Sequence, residues 1–158
     1  MGYYSDVKIA ITKKGWDYVK KHAREIYENK LRSFNDVVSE DGTHINVRKN
    51  GITYCYHKEE TLIKCATVYE AGEFEDWVIV GWDGVKWLGY NFEDQQSIHQ
   101  AIEESGEPAR EIAIGEDNQT EECDWNGYYD NDDHPTLEAT CMFDYDGVQW
   151  MEASDGKN

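Results

Sequence analysis

The chain has 158 residues, with 33 Asp plus Glu against 15 Lys plus Arg and a net charge of −18. Hydrophobic residues make up 39% and aromatic residues 13%, which excludes a disordered acidic tail and predicts one packed domain over residues 1–158. Such a charge opposes direct binding to nucleic acid or to an anionic membrane surface, and favours basic partners and cations.

Residues 6–12 read as a strand in which Val7, Ile9 and Ile11 alternate with Lys8, Ala10 and Thr12. A helix is predicted over 13–29, capped by Thr12, with Trp16, Val19, Ala23 and Ile26 forming one apolar stripe. Lys13, Lys14, Lys20, Lys21 and Arg24 fall off that stripe and read as a solvated face. Residues 44–58 read as a hairpin turning at Asn50-Gly51, a pair suited to the positive φ angles of a type I′ turn. That turn pairs Val47 with Tyr54 and Ile45 with Tyr56 on one apolar face.

A further strand is predicted within 61–69, followed by an acidic loop over 70–76 and a strand-rich stretch over 77–87. The hexamer Trp-Asp-Gly-Val-Lys-Trp at 82–87 and its counterpart Tyr-Asp-Gly-Val-Gln-Trp at 145–150 both read as tight hairpins with Asp-Gly at the tip. A second helix is predicted over 92–105, with Asn91 as N-cap, Glu93 and Asp94 in its first turn, and Ile98, Ala101 and Ile102 buried. Gly106 and Pro108 end it. Residues 110–115 form a strand with Ile112 and Ile114 on one side, residues 116–134 are acidic and turn-rich, and 137–145 alternates as a last strand. The order of elements predicts an α+β fold, with an antiparallel or mixed sheet carrying two helices on one face. A ferredoxin-like core with added strands is one such arrangement.

The opening Met-Gly-Tyr-Tyr-Ser-Asp has no basic region followed by an apolar run, and no apolar stretch approaches the ~20 residues of a membrane span, so a cytoplasmic protein is expected. Cys55, Cys65, Cys123 and Cys141 form no Cys-x-x-Cys pair and read as free thiols, mostly buried. No nucleophile elbow or phosphate-binding glycine loop occurs, and no family signature joins a cysteine to a histidine, so a non-enzymatic protein without cofactor is expected. Asp130, Asp132 and His134 partly resemble the start of a calcium loop but lack its Gly at position 6 and Glu at position 12; Asp144 and Asp146 are a second candidate pair.

The charge is unevenly placed. Residues 1–66 carry 12 basic and 9 acidic groups, a net of +3, whereas residues 67–158 carry 3 basic and 24 acidic groups, a net of −21. The magnitude that keeps a small domain soluble is about 2–8, so the excess points to a partner. Glu116, Asp117, Glu121, Glu122, Asp124, Asp130, Asp132 and Asp133 are interleaved with Trp125, Tyr128 and Tyr129, and Glu70, Glu73, Glu75 and Asp76 precede them. Carboxylates spaced over a rigid surface imitate nucleic-acid phosphates, and the aromatics add contact area for a partner's Arg.

Tyr-Tyr-Ser-Asp-Val-Lys-Ile-Ala-Ile-Thr-Lys-Lys-Gly at 3–15 resembles the opening of uncharacterised small acidic proteins of Gram-positive phages and prophages. Val-Ile-Val-Gly-Trp-Asp-Gly-Val-Lys-Trp at 78–87 and Ile-Ala-Ile-Gly-Glu-Asp at 112–117 resemble later parts of the same group. The resemblance implies a phage origin and, by analogy, an anti-CRISPR or anti-restriction inhibitor that mimics DNA. The expected partner is a basic, nucleic-acid-binding host protein such as a CRISPR effector, with a small-ligand or divalent-cation binding module or an accessory phage structural protein as alternatives.

Overall fold

The computed structural model describes residues 4–58, 61–85, 87, 92–130 and 133–137. Strand β1 (Ser5–Thr12) leads directly into helix α1 (Lys13–Phe34). Thr12 caps the helix, its hydroxyl oxygen accepting from the Gly15 N–H at 3.0 Å. The stripe of Trp16, Val19 and Ala23 is buried as expected, and the five lysines and arginines off it are exposed. The helix continues past Asn29 because Leu31 extends the stripe and is buried against Ile45 and Val47 of a second sheet. Asn35 then closes the end, its side-chain amide donating to the Leu31 carbonyl at 3.0 Å.

That second sheet has three antiparallel strands, β2 (Asp36–Glu40), β3 (His44–Lys49) and β4 (Ile52–His57), in chain order. The Asn50-Gly51 turn is present with φ of 53° and 77°, and Ile45 pairs with Tyr56 and Val47 with Tyr54 as predicted. Ile45 and Val47 are buried; Tyr54 is exposed and Tyr56 half-buried.

The main sheet has the order β5-β6-β1-β7-β8, where β5 is Thr67–Glu70, β6 Trp77–Val85, β7 Ala109–Gly115 and β8 Thr120–Trp125. β1 is antiparallel to both β6 and β7, and β5 is antiparallel to β6. β5 therefore runs parallel to β1 with β6 between them. Together with α1 after β1 and helix α3 (Phe92–Ser105) after β6, this is a ferredoxin-like core. β8 is added outside β7, and the three-stranded sheet is inserted between α1 and β5.

Val7, Ile9 and Ile11 share one hydrophobic cluster with Trp16, Val19 and Ala23 of α1 and with Ile98, Ala101 and Ile102 of α3. The alternate residues Ala10, Ile79, Ile112 and Ile114 join a second cluster with Trp77, Tyr128 and Leu137. Both sheet faces are thus covered, so β7 is buried along its whole length.

Four expectations are corrected. Residues 62–65 form a short helix, α2 (Leu62–Cys65), before β5, because the Leu62 N–H donates to Asp94 at 2.7 Å and its carbonyl accepts from the Trp82 indole at 2.7 Å. Asp83-Gly84 makes a β-bulge instead of a hairpin tip. The register slips there against Ser5 and Val7, Gly84 takes φ of 58°, and its N–H donates to the Asp6 carboxylate at 2.7 Å. Residues 120–125 are a strand paired with β7, not a turn-rich run. Cys55 and Cys65 are exposed and Cys123 is half-buried, so these thiols are not core residues. Asn91, Cys141 and the 145–150 hexamer, and all of the 137–145 strand beyond Leu137, lie outside the described residues.

Candidate functional site

The acidic segment begins in the turn between β7 and β8. Glu116 exchanges bonds with Tyr4, its N–H donating to the Tyr4 carbonyl at 3.1 Å and its carboxylate accepting the Tyr4 N–H at 3.2 Å. Asp117 accepts the Gln119 N–H at 3.1 Å, which steadies the turn around Asn118 at φ 63°. Both carboxylates stay exposed.

Along β8 the two-residue period of a strand decides which acids share a side. Ala113, Glu111 and Ala109 pair with Glu121, Cys123 and Trp125, so these lie on the helix side; Thr120, Glu122 and Asp124 lie on the other. The acids of this strand therefore do not form one surface. Glu122 and Asp124 also grip Arg110, whose guanidinium donates to Glu122 at 2.8 Å and to Asp124 at 3.0 Å.

The aromatic residues divide as well. Trp125 is half-buried, packs on the main core, and stands 4.9 Å from the His99 ring. Tyr128 is 1% exposed and donates its hydroxyl to the Pro135 carbonyl, with burial pushing its pKa up. A partner cannot touch a side chain so deeply placed, so Tyr128 is a core residue and not a contact. Tyr129 is 59% exposed, with the Arg110 guanidinium 5.5 Å from its ring centroid.

Asp130 ends the short 3-10 turn Tyr128–Asp130 and is exposed. Asp133 meets the earlier acidic loop, lining with Glu73, Phe74, Glu75, Asp76 and Trp77 an open depression of about 300 Å³. Sequence distance hides this meeting of two acidic segments. Of the expected cation trio, Asp132, like Asp144 and Asp146, lies outside the described residues. The His134 ring packs 4.2 Å from Tyr128, and its Nδ1 lies 3.2 Å from the Pro135 carbonyl.

Among the described residues, three ligand-type side chains converge elsewhere. His44, Cys55 and His57, on the β3–β4 hairpin, bring their ligand atoms within 4.8 Å of one another. Beside them, the Asp41 carboxyl is held down to about 2, first by the Thr43 N–H and then by the His44 N–H. The signal for this cluster is the hairpin register itself: carried one pair beyond Ile45–Tyr56, it sets His44 against His57. Burial, with Glu111 next, pushes the Cys123 thiol up, which keeps it protonated and unreactive.

Among the described residues, no helix is long and apolar enough to cross a membrane. Comparison with protein-family models, with curated proteins and with solved structures finds no match.

Proposed function

We propose that this chain is a non-enzymatic inhibitor of phage origin that presents its acidic side to a basic, nucleic-acid-binding host protein, a CRISPR effector being the first candidate. The observation that carries this reading is the imbalance of residues 67–158, with 24 acidic groups against Lys86, Arg110 and Lys157. Of these three, Arg110 is the one described, and it is buried and committed to Glu122 and Asp124. Exposed carboxylates at Glu116, Asp117, Glu121, Asp130 and Asp133 add to the field on the same part of the chain.

Glu122 and Asp124 share one side of β8 and are paired with Arg110, while Glu121 lies on the other side, so this reading needs the turn and loop acids to supply the array that imitates phosphates.

The test is DNA binding by a purified CRISPR effector as the chain is added at low and at high salt. Inhibition is expected at low salt and should weaken as salt screens the contact. A variant carrying Glu116→Gln, Asp117→Asn, Glu121→Gln, Asp130→Asn and Asp133→Asn spares the Arg110 pairs. It should keep its circular dichroism spectrum and lose inhibition at least tenfold. Undiminished inhibition by this folded variant overturns the reading.

A further inference from the structure

We propose that His44, Cys55 and His57 form a binding site for a borderline-soft divalent cation, zinc before all others. Three independent features of the hairpin lead there.

The first is register. The Asn50-Gly51 turn pairs His44 with His57 and Asn46 with Cys55. Side chains alternate along each strand, so both histidines and Cys55 stand on one face. Ile45, Val47 and Tyr56 take the other and pack with Leu31 and Tyr27 of α1. The ligand face is accessible, with His44 half-buried and Cys55 and His57 exposed. Asn46 leaves the cluster by donating to the Ser39 hydroxyl at 2.9 Å.

The second is distance. The three ligand atoms already lie within 4.8 Å of one another, and the two imidazole rings are 4.2 Å apart at 62°. Ligand atoms around a tetrahedral zinc sit roughly 3.3–3.6 Å apart, given metal bonds of about 2.0–2.3 Å. Side-chain rotation on two adjacent strands covers that difference without moving the backbone.

The third is orientation. Asp41 accepts the Thr43 hydroxyl at 2.9 Å, and that hydroxyl oxygen lies 2.7 Å from His44 Nδ1. A hydroxyl that gives its proton to the carboxylate can only accept from the ring, so Nδ1 carries the proton and Nε2 keeps its lone pair. A carboxylate that fixes the tautomer of a ligating histidine is the usual support of a metal site. The neighbouring carboxylate of Glu40 is engaged with Arg32 and with Lys58 at 3.0 Å.

Two imidazoles and one thiolate select zinc over calcium or magnesium, which need hard oxygen ligands. Binding displaces the Cys55 thiol proton to solvent, and three protein ligands leave a fourth position for water.

The experiment uses the full chain, reduced and stripped of metal. Zinc is titrated against a chromophoric chelator, and cobalt is added separately to read the thiolate-to-metal charge-transfer band. One zinc per chain, a tetrahedral cobalt spectrum and a higher melting temperature with zinc are expected. Cys55→Ser and His57→Ala should weaken zinc at least 100-fold and remove or distort the cobalt band, and Asp41→Ala should weaken zinc by about 10–100-fold through the lost support of His44. Cys123→Ser should leave affinity unchanged. The ligand side chains are on the surface, so circular dichroism should show each variant folded. Absence of zinc binding at micromolar concentration overturns the proposal. So does equal affinity in folded Cys55→Ser, which would mean cations held only by the acidic surface.

Discussion

His99 Nε2 lies 2.8 Å from Glu111 Oε1, and this pair ties helix α3 to the strand next to the centre of the main sheet. Glu111 pairs with Ile9 and is 2% exposed, so it is a carboxylate among core side chains. Its second oxygen accepts from the Trp87 indole at 3.1 Å. A buried carboxylate persists only with such partners. Glu111→Ala strands both donors and is expected to lower stability by about 2–3 kcal/mol. Glu111→Gln keeps one acceptor and should lose less. Urea unfolding of the two variants checks the order.

A second buried carboxylate titrates in an accessible range. Burial raises the Asp94 pKa to about 6, and the Leu62 N–H bond only partly opposes it. A raised acid pKa means that the folded state holds its proton more tightly than the unfolded chain. Its stabilising contribution is therefore full below about pH 4 and is lost as pH rises through about 6. Asp94→Asn keeps an acceptor for Leu62 without the charge. It is expected to raise stability by on the order of 2 kcal/mol at pH 8 and to make little difference at pH 4. A gain that is equal at both pH values would refute this account.

Gly15 sits in the first turn of α1, where alanine has the better helix propensity. Space reverses the sign. A Cβ there would lie 2.8 Å from Ile11 Cγ1 and 2.9 Å from Glu107 Cβ. Glu107 also accepts the Thr12 hydroxyl at 2.8 Å, so the segment after α3 is pinned against this turn. Gly15→Ala is expected to cost about 1–3 kcal/mol by overpacking, seen as a lower melting temperature.

Much of this fold is local enough to be written in the chain. The Thr12 cap, the hairpin pairs Ile45–Tyr56 and Val47–Tyr54, and the bounds of α3 at Phe92–Ser105 all follow from short-range rules of spacing and turn chemistry. The excess of negative charge in residues 67–158 is a matter of composition alone. Where a distant residue supplies a hydrogen bond, local rules fail. Asp94 and Trp82 turn residues 62–65 into a helix, and Asp6 makes a bulge of Asp83-Gly84. Arrangement of the acids is likewise tertiary: pairing with β7 sends Glu121 to one side of the sheet and Glu122 and Asp124 to the other, and packing against Trp77 and Leu137 sinks Tyr128 into the core. The convergence of His44, Cys55 and His57 lies between these cases. Their register is local, but the packing of Ile45 and Val47 on Leu31 decides that the three ligands face outward, because burying the apolar side of the hairpin is what turns its polar side to solvent.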